Sequence, residues 1–223
     1  MPSVPPKKRQ KLSELSRARA DESDYAENFK TITTGPARAA ALVAAAALDN
    51  ALEDAIAADW PGDIGDDDHK ADYNLIFRLD GAPLASFAAK IRIAHAMGIY
   101  GDVTRGDLLT ISTIRNIFAH SPKALDFSHE AIAEACCNLN VSREYAARKL
   151  IKKAVHAQSL PRETFLHTCY IIQIALMRYT STRIEQKGRF VSHITELIRT
   201  KKVPVEAVNE ALHRIAIEAE ALP

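Results

Sequence analysis

From residue 35 onward, apolar residues recur at steps of three and four, and strict alternation at period two is nearly absent. A step of three or four returns a side chain to one face of an α-helix, whereas a strand needs a step of two. A chain with this pattern has to bury helical faces against one another. The spacing therefore predicts an all-α fold, a bundle of about seven or eight helices with short connections. Composition agrees. Hydrophobic residues make up 47% of the 223, enough for a core, while aromatics are only 6% and alanine is frequent. Alanine has the best helix propensity and lets helices approach closely. With Gly 8 and Pro 10, the chain has few of the residues that hairpin-rich architectures need.

Individual helices follow from the same reading. The first strong one begins after Gly35-Pro36, with Ala41, Ala45, Leu48, Leu52, Ala55 and Ile56 on one face, and ends at Asp59-Trp60-Pro61-Gly62. An acidic loop with Asp63, Asp66, Asp67, Asp68 and His69 comes next. Carboxylates beside a histidine can bind metal, but a hydrated run of this kind reads as a solvated loop. Tyr73 to Leu79 reads as an extended or short helical connector. A second helix carries Leu84, Phe87, Ile91 and Ala94, with Pro83 suited to its start and Gly98 to its C′ position. A third spans about Arg105 to Ala119 and stops at Ser121-Pro122, because the residue before proline leaves the helical region. Ser128 is the expected cap of a fourth helix and Ser142 of a fifth. Pro161 starts a long sixth with Phe165, Cys169, Ile172, Leu176 and Tyr179, which is expected to stop at Gly188. A short seventh has Phe190, Ile194 and Leu197, and the last begins at Pro204 with Val205, Val208, Leu212, Ile215 and Ala219.

Net charge is +1, so the chain as a whole has no pull toward nucleic acid or membrane. Its distribution is uneven. Residues 1–20 carry a net +5, through Lys7, Lys8, Arg9, Lys11, Arg17 and Arg19 against Glu14, and the remainder a net −4. Residues 1–22 are therefore expected to be a disordered basic arm, able to make weak, sequence-independent contact with nucleic acid. Residues 23–140 form the expected helical core, and 141–223 a helical extension packed on the same domain. Three cysteines, Cys136, Cys137 and Cys169, lack C-x-x-C spacing and read as buried thiols in a reducing compartment. The N-terminus has no apolar signal region, and the longest apolar stretch, Ala39 to Leu48, is about half a membrane span. A cytoplasmic protein without a membrane partner is the expectation. No cofactor is expected, and no metal, because no histidine pair has zinc-type spacing with a third ligand.

The informative stretch runs from Pro83 to Phe127. It contains Pro83-Leu84-Ala85-Ser86-Phe87-Ala88-Ala89-Lys90-Ile91, then Ala94-His95-Ala96-Met97-Gly98-Ile99. After these come Ile111-Ser112-Thr113-Ile114-Arg115-Asn116-Ile117-Phe118-Ala119-His120. Together with the alanine-rich first helix, these blocks resemble the mannitol operon repressor (MtlR) family over about residues 35 to 140. Pro83, Leu84, Ser86, Phe87, Lys90, Gly98, Arg115, Asn116, Phe118 and His120 are the positions that carry the likeness. It implies an all-helical regulatory protein. The chain shows no helix-turn-helix with base-reading side chains and no zinc-finger spacing. A regulatory role would then run through a protein partner rather than through DNA reading.

Arg115-Asn116-x-x-Ala-His120 also resembles the motif of HEPN domains, in whose ribonuclease members Arg and His act on RNA at a dimer cleft. A guanidinium can hold a phosphate with two bonds, and a histidine exchanges protons near neutral pH. At about 100° per residue, however, Arg115 and His120 stand roughly 140° apart on a helix, while Asn116 and His120 share a face. Architectural roles compete. Arg115 can pair with Asp107 or Glu134, Asn116 can bridge helices, and His120 can bond the last carbonyls of its helix. For Lys90 the alternatives are a stem along the core with its ammonium in water, or a pairing with an acid. His95 and His129 read as packed or exposed rather than as ligands.

Three functions follow as expectations. The first is a non-enzymatic, transcription-repressor-like regulator of the MtlR type that self-associates and binds a protein partner. The second is a metal-independent HEPN-like ribonuclease of toxin or defence type. The third is a purely structural oligomerisation module.

Overall fold

A computed structural model describes residues 22–59, 67–79, 81–141 and 160–199. Among these the fold is all-α, with seven helices and no strand. They are α1 (Glu22–Thr34), α2 (Ala37–Ala58), α3 (Asp67–Phe77), α4 (Phe87–Ala96), α5 (Asp102–His120), α6 (Glu130–Cys137) and α7 (Pro161–Arg199). The basic arm, Trp60 to Asp66, the helix expected from Ser142 and the one expected from Pro204 lie outside the described residues. The chain divides into two compact units between Tyr179 and Thr180.

In the first unit α2 is the central element. It packs against α1, α4 and α5, while α4 packs on α5 and α5 on α6. Its alanines explain this position. Ala41, Ala44, Ala45, Ala51 and Ala55 are buried on one broad face of the helix, and their small side chains let neighbours close on it. Leu48, Leu52 and Ile56 of α2 meet Ile91 of α4, Leu108, Ile111, Ile114 and Phe118 of α5, and Ile132 of α6 in one core. Each such side chain contributes about 1.5–3 kcal/mol on leaving water. Phe165, Cys169, Ile172 and Leu176 of α7 join the same core. Phe127 links them to α5, with ring centroids 5.1 Å from Phe118 and 5.3 Å from Phe165. In the second unit, the described part of α7 is exposed at every side chain from Ser181 to Arg189.

Several helix ends differ from the sequence-based expectation. Pro83 does not start α4. The Ser86 hydroxyl caps it, accepting the Ala89 N–H at 3.1 Å, and Pro83 and Leu84 form the preceding turn. Gly98 does close α4. Its φ of 73° lets the Ile99 N–H reach the Ala94 carbonyl and its own N–H reach His95, a left-handed stop that residues with a Cβ resist. Ser128 is not a cap. Asp126 takes both its N–H (2.8 Å) and its hydroxyl (2.6 Å), a carboxylate being the stronger acceptor, and α6 begins after His129. Gly188 does not end a helix, and the expected sixth and seventh helices are one. One interior glycine costs only about 1 kcal/mol, and good helix formers, including an Arg189–Glu185 pair, flank it.

Two helices lacked a strong sequence signal. α1 is mostly polar, and its end is held from far away: Arg162 donates to the carbonyls of Ile32 (3.1 Å) and Gly35 (2.7 Å). α3 takes in Asp67, Asp68 and His69 of the expected acidic loop, and most of the connector, through Phe77. Phe77 is anchored in the core. No described helix is long and apolar enough to cross a membrane.

Candidate functional site

The residues of the family-like blocks separate into two groups. Ser86, Phe87, Gly98 and Phe118 do architectural work as caps, stops and core, and Leu84 sends its N–H to the Ile76 carbonyl at 2.9 Å, tying α4 to α3. Arg115, Asn116 and His120 remain on the outside of α5. Arg115 is half-buried and donates from Nη1 to Asn116 Oδ1 at 2.9 Å. Asn116 and His120 are exposed, one turn apart.

The architectural roles proposed for this trio from the sequence are filled by other residues. Asp107 is not a partner of Arg115. It is buried, and its carboxylate accepts the N–H groups of Asn140 (3.0 Å) and Val141 (2.7 Å), where the next helical turn begins. His120 does not bond the last carbonyls of α5. The end of the helix is held by Arg38 of α2, which donates to the carbonyls of Ser121 (2.8 Å) and Lys123 (3.0 Å). Sequence reasoning missed Arg38 because its acceptors are main-chain atoms more than eighty positions away.

On the side of α5 that carries Asn116 and His120 lies a groove of about 410 Å³ between α5 and α6, lined by Leu109, Thr113, Ile117, Ala131, Ile132 and Ala135 among others. Its walls are apolar. Thr110 and Thr113 return their hydroxyls to the carbonyls of Gly106 (3.1 Å) and Leu109 (3.0 Å), so the polar ends of their side chains are satisfied within α5. On α6 the exposed Glu130 and Glu134 flank the groove-lining alanines. A phosphate backbone gains nothing from an apolar channel with an acidic bank. The surface suits a protein better.

Of the two readings of Lys90, the structure has the pairing with acids and not the solvated ammonium. Lys90 is 4% exposed, and its Nζ lies 2.7 Å from Glu53 Oε2 and 2.9 Å from Asp49 Oδ1, the latter an ion pair without hydrogen-bond alignment. The second Glu53 oxygen takes Arg78 and the Tyr73 hydroxyl. Burial, reinforced by the Glu53 carboxylate, pushes the Tyr73 phenol up to about 12. The cluster ties α2, α3 and α4 together. It is closed to solvent at Lys90 and Glu53, so it is a structural clamp rather than a site for a ligand.

The remaining candidates have local explanations. His95 pairs with Asp102 at 3.0 Å, and His129 is the residue before α6. Among the described residues no group of three His, Cys, Asp or Glu gathers to hold a metal. Cys136 and Cys169 are buried as expected, but Cys137 is exposed. Burial pushes the Cys136 thiol up to about 12 and raises Cys169 as well. Their folded-state values lie above the unfolded value of about 8.5, so the folded chain holds these protons longer. The stability they contribute is complete below about pH 8.5 and declines as pH rises above it, by up to about 1.4 kcal/mol per pH unit for each thiol. A thiol reagent at pH 8 should accordingly modify one cysteine, Cys137, in the native chain and three after denaturation. Two rapidly modified cysteines would contradict the packing of α6.

Comparison of the chain with protein-family models, with curated proteins and with solved structures returned no match.

Proposed function

We propose that this chain is a non-enzymatic regulatory protein of the mannitol operon repressor type, acting through protein contacts at the outer face of α5 rather than by reading DNA. One observation carries the reading. Of the positions that carry the likeness, those with no architectural task are the half-buried Arg115 and the exposed Asn116 and His120, and Asn116 and His120 follow the groove-lining Thr113 and Ile117 at steps of three on α5. Exposed polar residues beside an apolar channel are the make-up of a contact surface with a polar rim.

The transcript profile of a strain lacking this chain tests it. Restoring the parent chain should restore the profile, whereas the folded Arg115→Ala/Asn116→Ala variant should not. Full restoration by that variant would remove this face from the function. A second reading, metal-independent RNA cleavage, draws on the free exposure of His120, which leaves its imidazole open to proton exchange. The regulatory reading expects transfer RNA and single-stranded RNA to stay intact with the purified parent. Cleavage that disappears in folded Arg115→Ala and His120→Ala variants would replace it with the ribonuclease.

A further inference from the structure

In the second unit α7 presents every side chain from Ser181 to Arg189 to solvent, and Ile184 is 59% exposed. A helix in a protein draws most of its stability from packing an amphipathic face, not from propensity. From Ile184 the sequence repeats an apolar residue every seven positions, at Val191 and Ile198. That spacing keeps one stripe in line with a single further helix.

The chain beyond Arg199 carries the matching stripe. Val205, Leu212 and Ala219 are also seven apart, with Val208 and Ile215 between them. Pro204 suits the first position of a helix. Thr200 to Val203 separate it from α7, within the about two to five residues that join antiparallel helices. As helices, Ser181–Arg199 and Pro204–Leu222 are each about 28 Å long, so neither stripe outruns the other.

We propose that residues 204–222 fold back as a helix antiparallel to the second half of α7 and cover its apolar stripe, making the second unit a helical hairpin. The residues set the register. Ile198 lies opposite Val205, Val191 opposite Leu212, and Ile184 opposite Ala219. A shift of one residue would instead set Glu218 or Glu220 against Ile184. Charge agrees. The register brings Glu218 to the edge of α7 that carries Arg183 and Lys187, while the Arg189–Glu185 pair stands on the outer side and is left intact.

A second copy of the chain offers the same stripe, but a connection this short holds the chain's own segment at an effective concentration of about millimolar. Closure within one chain therefore comes before association. The hairpin is independent of the contact surface on α5, and it removes the stripe of α7 from the surfaces open to a partner.

Disulfide trapping in the full chain tests the hairpin, in a Cys137→Ser background that removes the exposed thiol. The pair Ile184→Cys/Ala219→Cys should close within one chain on mild oxidation, giving a faster-migrating species of monomer mass. Facing positions of packed helices approach the roughly 4.4–6.8 Å between Cα atoms that a disulfide needs. The pair Thr182→Cys/Ala221→Cys, on the outer sides of both helices, should close at least about tenfold more slowly. Hydrogen exchange gives a second readout that needs no new cysteine. Amides of residues 204–222 should be protected in the parent. Leu212→Asp should speed their exchange at least about tenfold, and that of residues 181–199 with it, leaving 37–58 unchanged. Disulfides formed between chains overturn the proposal and put a second copy on the stripe. Equal closure of the two pairs overturns it as well. So does exchange in residues 181–199 that is indifferent to Leu212→Asp, the outcome if a different protein covers α7 or nothing does.

Discussion

Replacing Lys90 with Met should destabilise the first unit by about 3–5 kcal/mol, the cost of stripping a partner from a buried charge. Glu53 is 3% exposed and shares Lys90 with Asp49. Without the ammonium, Glu53 keeps Arg78 and the Tyr73 hydroxyl on one oxygen only, so a loss near the lower end of that range is expected. Urea unfolding followed by circular dichroism at pH 7 measures it. The double variant Lys90→Met/Glu53→Leu should recover most of the loss, because replacing both members of a buried pair with apolar groups leaves no orphaned charge. A loss below about 1 kcal/mol in the single variant would mean that water reaches the pair.

Phe118→Ala should cost about 3–5 kcal/mol, as expected for emptying an aromatic site in a packed core. Phe118 is fully buried, and its ring packs at a tilt against Phe127, which packs likewise against Phe165, so the cavity would loosen the link between α5 and α7. Two positions on, His120→Ala should change single-chain stability by less than about 0.5 kcal/mol, the usual range for a surface substitution away from special features. Measured in the dilute chain by the same unfolding method, the contrast separates architecture from surface within one helical turn. Equal losses at both positions would place His120 in the core's support rather than on a contact face.

Much of the helical content was legible in the sequence because it is encoded locally. The stripe Ala41, Ala45, Leu48, Leu52, Ala55 and Ile56 predicts α2, and Pro36 and Asp59 bound it as expected. The apolar positions of α5 and the start of α7 at Pro161 were equally plain. Local signals failed where competing interactions were of similar size. Ser128 is a good cap by type, but Asp126 two positions earlier takes its donors. Gly188 breaks helices on average, yet its penalty is smaller than the summed preference of its neighbours.

The candidate site was legible as a list of residues but not as an arrangement. Arg115, Asn116 and His120 stand out by type and spacing, and the 140° separation of Arg115 from His120 follows from helix geometry alone. Their freedom from structural duty did not. It depends on Arg38 holding the end of α5, and on Asp107 being committed to Asn140 and Val141.

By itself, then, the sequence determined the helical class, the inner face of α2, α4 and α5, the glycine stop at Gly98 and the short list of polar residues around Arg115. These depend on side-chain spacing and backbone freedom within a few residues. Tertiary structure alone decided that Lys90 would be buried against Glu53, 37 positions away, and that Arg162 would close α1 from 127 positions beyond Gly35. It also decided that Gly106 would face open space. Such pairings join groups whose separation along the chain carries no periodic signal, so they exist only once the helices have packed.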